Sequence, residues 1–286
     1  MVAKKLNIFR REKKPVKVKE VVQKIFEACN DCNFETKTDT LIYGNWEMDV
    51  KGICTTFMAT VDVIKEAAQR GLNLIITHEP TFFTGNDRLD WVENDEVYLK
   101  KKRLLDEFGI SIFRFHDYMH MTHGDLIYKG LIKELGWENF LDNTYERPHI
   151  YRIPRVHFKD LIDFIAKKLD MDVIRIIGNT DIECNNVGIL VGGGSLGLGS
   201  EEMPMIFMRE NNIDVIICGE IYEWTLCAYV RDAAAMGLNK AMIVLGHERT
   251  EEFGMKYLVD FLRSFIKEVN IEFINSKEPF TYYIKK

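Results

Sequence analysis

The chain has 286 residues, is 47% hydrophobic and carries a net charge of −6 at pH 7. This size is sufficient for a large buried core in one or two domains. The acidic balance argues against nucleic acid as the main partner. No apolar run approaches the roughly 18 residues of a membrane span. The composition therefore predicts neither a membrane protein nor a nucleic-acid-binding protein.

Two local features bear on the cellular compartment. Residues 1–16 are rich in Lys and Arg but lack an apolar core, so we expect a solvated basic arm and no secretory signal. Cys29 and Cys32 form a C-x-x-C pair, which could be redox-active or half of a zinc site. No second such pair exists, and we expect structural cysteines. Six cysteines in this length are not a disulfide framework, so a reduced, cytoplasmic protein is predicted.

Apolar segments of strand and helix length alternate along the chain, which predicts an α/β fold. A turn-rich stretch over 137–148 is the best candidate for a domain boundary. The predicted helices cover about 17–30, 60–70, 95–108, 125–135, 158–169, 202–211, 222–236 and 252–268, and the predicted strands cover 52–56, 72–77, 110–115, 150–153, 172–177, 186–191, 213–218, 241–245 and 271–275.

Three predicted strands run directly into histidines and carboxylates. Ligands of open α/β sheets bind outside the carboxyl ends of the strands. Imidazole and carboxylate groups suit divalent metals. If the three exits converge on one sheet edge, they predict a metal site there. The residues after these strands are His78 and Glu79, His116 and His120, and His247 with Glu251.

Each pair alone is a weak signal. His247 and Glu251 are four residues apart and can meet on the first turn of a helix, but such a pair is more often a solvated face. Glu248 or Glu252 could also replace Glu251. A weak repeat relates residues 66–79 to 232–248, through a helix, a Gly, Leu-Asn, a strand and His-Glu. Duplication and shared helix-capping residues explain this repeat equally well.

The segment that begins at Gly192 fits the dinucleotide-binding pattern G-x-G-x-x-G, and Asp214 follows Gly194 by 20 residues. However, Gly199 and Pro204 delay the next helix, whereas the pattern requires the glycines to open it. We therefore favour a mobile loop that lines the site over a nucleotide cradle. Ser195 in this loop has no spaced His and Asp partners that would make it a nucleophile.

At these motifs the sequence resembles the Nif-three-like family, also described as dinuclear metal centre hexameric proteins or GTP cyclohydrolase I type 2. The likeness spans about residues 18–275. The family's Thr-His-His-Pro corresponds to residues 77–80, and its His-x-x-x-Asp to His116 and His120. Its Gly-His-x-x-x-Glu corresponds to residues 246–251, and Gly219-Glu220 matches a further Gly-Glu or Gly-Asp.

The resemblance implies two α/β domains, with a metal-binding domain built from residues 17–144 and 240–286 and a second domain inserted as residues 145–239. It implies a homo-oligomer, a hexamer whose metal sites face a cavity. Two divalent ions, Zn, Fe or Mn, are expected. Glu79 stands where the family has its second His, and His120 where it has an Asp, so the two negative charges are kept. The implied ligands are His78, Glu79, His120, His247 and Glu251.

Two functions follow from this reading. The first is a metal-dependent hydrolase that acts on GTP, another nucleotide or a phosphoester through a metal-activated water. In it, Glu220 or Glu248 would move protons, and Gly192, Gly194, Ser195 and His116 would line the substrate. The second is a metal-stabilised regulatory or interaction scaffold without turnover.

Overall fold

The computed structural model describes residues 15–29, 31, 34–142 and 149–285. In it the chain forms two five-stranded sheets with helices between them and on their outer faces. The prediction of an α/β fold is confirmed. No helix of the described residues is long and apolar enough to cross a membrane.

The first sheet combines the beginning and the end of the chain. Four of its five strands are parallel to one another. The fifth, a short strand at one edge, is antiparallel to its neighbour. The runs Gly52–Thr56 and Leu74–Thr77 are buried throughout because helices cover both faces. In spatial order the strands are β1 (Leu41–Tyr43), β4 (Ser111–Arg114), β3 (Leu74–Thr77), β2 (Gly52–Thr56) and β10 (Asn270–Phe273).

The second sheet comes from the middle of the chain and has three parallel strands flanked by antiparallel edges. Residues 241–244, which we assigned to the metal-binding segment, pair here with Val215–Cys218 because a short helical crossover joins the two strands. The division into domains stays a prediction. In spatial order the strands are β5 (His149–His157), β7 (Glu183–Leu190), β8 (Val215–Cys218), β9 (Ala241–Val244) and β6 (Arg175–Ile177).

Helices form three layers around the sheets. One apolar core joins the facing sides of both sheets through α1, α4, α5, α6 and α9. Separate cores lie on the outer faces, under α2 and α3 and under α7 and α8. The helices are α1 (Val18–Ala28), α2 (Val61–Gln69), α3 (Glu96–Phe108), α4 (Asp117–Met121), α5 (Leu126–Leu135), α6 (Phe158–Lys168), α7 (Met203–Glu210), α8 (Ala228–Ala235) and α9 (His247–Phe265).

Two glycines let the central helices α5 and α9 approach closely. A Cβ on Gly254 would lie 2.6 Å from Ile127 Cα, and one on Gly130 would collide with the backbone of Phe253. Since either side chain would push the helices apart, this contact fixes the position of α9. It thereby fixes His247, the first residue of that helix.

The structure differs from the prediction in several elements, among them the short helix α4 (Asp117–Met121), which was not predicted. α9 begins at His247 and not near residue 252. The predicted helix 222–236 is interrupted by a kink at Thr225, whose backbone angles are not helical (φ −100°, ψ −112°), and its second part is α8. β1 was not predicted, because its three half-buried residues show no periodicity. Cys29 is buried at the end of α1, whereas Cys32 and most of the predicted basic arm lie outside the described residues.

Candidate metal centre

The exit of β3 brings His78 into the interior. The His78 side chain is fully buried. Its backbone N–H lies 3.2 Å from both Thr56 O and Phe57 O, and the Glu79 N–H donates to Phe57 O at 2.8 Å. Arg114, at the end of β4, donates from Nε to His78 O at 3.3 Å. These bonds hold the turn after β3 in one conformation and point His78 and Glu79 toward the end of β4.

The exit of β4 supplies the next two imidazoles through the short helix α4. The rings of His78 and His116 are stacked with centroids 4.4 Å apart. His120, one turn later, lies 5.0 Å from the His78 ring and 5.1 Å from the His116 ring. Asp39 caps α4 by accepting the backbone N–H groups of residues 116–118. Three imidazoles thus share one small region.

The start of α9 completes the group from the second sheet. His247 follows β9, and its Nε2 lies 3.1 Å from Glu251 Oε2, one helical turn on. The two sheets therefore both contribute. Our expectation that all three strands end at one sheet edge is wrong, because β9 belongs to the other sheet and α9 crosses between them.

All four imidazoles are oriented by an acceptor at Nδ1. An acceptor there holds a proton on Nδ1, so Nε2 is the nitrogen that a metal would bind after displacing any proton on it, which is the arrangement that orients histidine ligands in metalloproteins. The pairs are His78 with Phe115 O at 3.3 Å, His116 with Asp117 Oδ1 at 2.8 Å, His120 with Asp125 Oδ2 at 3.0 Å, and His247 with Glu220 Oε1 at 3.1 Å.

Two carboxylates lie among the Nε2 atoms. Glu79 Oε1 is 3.5 Å from His116 Nε2 and 3.4 Å from His247 Nε2. Glu251 Oε2 is 3.3 Å from His78 Nε2 and 3.1 Å from His247 Nε2. Each carboxylate is therefore shared between two imidazoles, and His247 touches both.

These donors fit a metal ion. His78 Nε2 and Glu251 Oε2 are buried and form no hydrogen bond, a costly state that a bound cation would relieve. Two overlapping triads have donor atoms within 4.8 Å of one another, one of His78, His116 and His120 and one of His78, Glu79 and Glu251. Imidazole nitrogen with carboxylate oxygen suits a divalent ion of the zinc, iron or manganese type.

Electrostatics point the same way. Burial opposes the ionisation of Glu79, but hydrogen bonds from His116 and His247 outweigh it and hold the Glu79 pKa below its ordinary value. The pKa of Glu251 is also lowered, against burial, by His247 and His78. Burial disfavours the charged form of His247, yet its carboxylate neighbours raise its pKa to about 12. The cluster thus stabilises positive charge between its carboxylates.

The remaining predicted residues lie around this cluster in different ways. Glu220 contacts His247 Nδ1, so its observed position is that of an orienting group. Ser195 Oγ donates to the backbone oxygen of Glu220. Gly192 lies against Glu251 and His247, and its N–H donates to Thr250 Oγ1 at 3.0 Å. The loop therefore packs on the site, in a 3₁₀ turn over Gly192–Leu196 that includes Gly194.

Glu248 lies apart from the cluster. It is 96% buried, and burial together with the neighbouring Glu252 raises its pKa above the ordinary value. Both of its carboxylate oxygens lack a hydrogen-bond partner. Because it follows His247 by one residue, it faces another side of α9, and its proton-shuttle role stays a prediction without support from this geometry.

Our assignment of His116 to the substrate stays a prediction, and in the structure a ring nitrogen of His116 belongs to one of the two candidate metal triads. The spacing of four residues to His120 was the available signal. Asp125 and Asp117, which orient imidazoles, were not predicted. Asp125 also accepts the N–H groups of Ile127 and Tyr128 at the start of α5, so a capping carboxylate five residues after His120 was a usable signal.

The fold and site define a two-sheet α/β protein with a cluster of histidine and glutamate side chains that is a candidate metal site. Residues 16–279 match the family Duf34/NIF3 (NGG1p interacting factor 3), and the chain belongs to this family, as the sequence motifs indicated. The chain is 26% identical over 220 residues to a GTP cyclohydrolase 1 type 2 homolog of Clostridium acetobutylicum, covering 74% of this chain and 76% of the relative. A homolog of the same name from Campylobacter jejuni is 24% identical over 247 residues, covering 85% and 89%.

A solved structure supports the fold independently. The Bacillus cereus protein related to NIF3 aligns with a TM-score of 0.73 over 95% of this chain and 100% of that chain, at 16% identity. At this identity the likeness concerns the fold.

Proposed function

We propose that the protein is a metal-dependent hydrolase whose cluster holds two divalent ions. The observation that supports this is the convergence of three Nε2 atoms, those of His78, His116 and His247, on two shared carboxylates, with the His120 ring beside His78 and His116 and each imidazole held at Nδ1. Six donors exceed the four that a single tetrahedral zinc requires. The proposed ligands are His78, Glu79, His116, His120, His247 and Glu251.

The arrangement of charge and exposure suits hydrolysis at an accessible face. Divalent ions supply Lewis acidity and lower the pKa of water. His78 and Glu251 are buried, whereas the side chains of His116 and His247 remain 27% and 26% exposed. A substrate would therefore approach from the side of His116 and His247. Glu220, with 47% of its side chain exposed, lies at this opening beside His247.

We infer that the substrate is a nucleotide or another phosphoester. The curated relatives are named GTP cyclohydrolase 1 type 2 homologs, which makes GTP the first compound to test. A hexameric assembly is proposed on the family resemblance, and sedimentation or light scattering of the purified protein would test it.

The test begins with metal content. We expect up to two divalent ions per chain by elemental analysis. Glu251→Gln should weaken metal binding by at least ~100-fold. The reason is that Glu251 is a proposed ligand whose charge is shared between two imidazoles, and the loss of a ligand costs more than the loss of a group that only orients one. Glu248→Gln is the matched control, being a buried glutamate on the same turn of α9 outside the cluster. Equal metal content in all three proteins would contradict the proposed site.

Turnover is then measured on the loaded protein. GTP, other nucleoside triphosphates and chromogenic phosphoesters are supplied with Zn, Fe(II) or Mn, and chelated protein is the blank. Hydrolysis that is lost in Glu251→Gln supports the proposal. Retained metal without turnover of any compound would favour the scaffold function instead.

A further inference from the structure

Two stacked aromatic side chains lie at the surface just after Glu220. The rings of Tyr222 and Trp224 have centroids 4.9 Å apart and planes 7° from parallel. Trp224 is 69% exposed and Tyr222 is 38% exposed. Among the residues that the structure describes, no other ring packs on Trp224. One face of the indole is therefore open to solvent.

The backbone holds this pair in place. Glu223–Cys227 form a short turn with a kink at Thr225, whose backbone angles are not helical (φ −100°, ψ −112°). Thr225 donates from Oγ1 and N to Tyr222 O at 3.2 and 3.3 Å. Leu226 and Cys227 are buried in the outer core of the second sheet. The turn thus anchors its C-terminal end in the core and directs Trp224 outward.

The same segment is tied to the metal centre. The Glu220 N–H donates to Gly192 O at 2.9 Å, and Glu220 Oε1 lies 3.1 Å from His247 Nδ1. Trp224 follows four residues later, so its Cα lies within roughly 14 Å of that of Glu220. This separation suits a small molecule with a metal-binding group at one end and a ring at the other.

We propose that Trp224, supported by Tyr222, is a stacking platform for a planar heteroaromatic ring of the ligand. The inference rests on the proposed function, because it assumes that the ligand's polar group reaches the cluster. Parallel offset stacking is a preferred arrangement of aromatic rings, and an open indole face beside a rigid partner presents it in advance. A stable protein interface takes about 20–30 residues on each side, whereas this platform is two rings wide. A single ring is therefore the occupant we assign.

The test compares two ligands that differ by the ring. Guanosine 5′-monophosphate and ribose 5-phosphate share the sugar and the phosphate. Their affinities for the full-length, metal-loaded protein are measured by calorimetry, without reference to turnover. Trp224→Ala should weaken binding of the guanosine compound by roughly 5- to 150-fold, the range found when stacked bases lose their aromatic partner. Binding of ribose 5-phosphate should not change, and Trp224→Phe should retain most of the affinity.

Trp91→Ala is the matched control, because Trp91 is 54% exposed and lies on another segment. If Trp224→Ala unfolds, Trp224→Leu replaces it, since leucine is apolar but cannot stack. The proposal is overturned if the guanosine compound binds wild type and variant equally, or if wild type binds it no more tightly than ribose 5-phosphate. It is also overturned if the variant changes only the oligomeric state, which would assign the rings to contact between copies. If binding of the guanosine compound depends on Trp224 but no compound is hydrolysed, the proposed hydrolase function is contradicted and the stacking platform is still supported.

Discussion

Gly192→Ala should disrupt the metal centre without altering any donor. A Cβ at Gly192 would lie 2.7 Å from His247 Nε2 and 2.8 Å from the Glu251 carboxyl carbon. Real Cβ atoms essentially never approach other atoms within 3.0 Å, and ordinary contacts begin at 3.4 Å. His247 Nε2 would therefore have to move by at least 0.3 Å, and by 0.7 Å to restore ordinary contact. The backbone φ of +50° at Gly192 adds strain for alanine.

This displacement is large for a metal site, where ligand distances hold to within about 0.2 Å. We expect metal affinity to fall by at least ~100-fold, more than the usual effect of losing one orienting partner. The assay is titration of chelator-treated protein against a chromogenic competitor, with circular dichroism to verify the fold. Gly193→Ala is the control, because its Cβ would meet nothing within 4 Å. Wild-type affinity in Gly192→Ala, or an equal loss in Gly193→Ala, would refute the steric argument.

Three further predictions concern charge. Glu79→His should weaken metal binding by removing a negative charge, and Glu79→His with His120→Asp should restore it; equal losses in titrations of both would show that the positions are uncoupled. Burial and the neighbouring carboxylate of Glu252 raise the pKa of Glu248 in the folded protein. The free energy of unfolding should therefore fall as the pH rises above the ordinary pKa of a glutamate. Glu248→Gln should therefore be the more stable protein at pH 8 and equal at pH 4 in urea unfolding, and a constant difference would contradict this. Burial lowers the pKa of Lys101 to about 8, so the unfolded chain binds more protons above that pH. The free energy of unfolding relative to Lys101→Met should rise between pH 8 and 10 by at most about 1.4 kcal/mol per pH unit, and a flat difference would exclude the effect.

The strands and their exits could be predicted because their signals are local. β3 and β4 are short apolar runs buried on both faces, and each leads directly to a histidine. α3 has a side-chain cap at Asp95 and a left-handed glycine at Gly109, which together mark both of its ends. Such features depend on neighbouring residues alone.

The partners of the imidazoles depend on distant residues and could not be predicted. Glu220 reaches His247 only because β8 and β9 are adjacent in the second sheet. Asp39 caps α4 from more than 70 residues away. The start of α9 was missed because Gly246, and no Ser, Thr, Asp or Asn, precedes it. In each case the position of the residue or helix end depends on tertiary contacts that the local sequence does not indicate.

The position of Glu79 follows from where α9 begins. His247 is the first residue of α9, so the positive end of that helix's dipole faces the cluster and opposes a bound cation. Glu79 Oε1, 3.4 Å from His247 Nε2, places a negative charge at this end. His120, which takes the place of a carboxylate in the resembled family, is instead oriented by Asp125 on the side of the first sheet. The exchange that the resemblance implies would keep the total charge and place one negative charge at the helix end where the opposition to a cation is greatest.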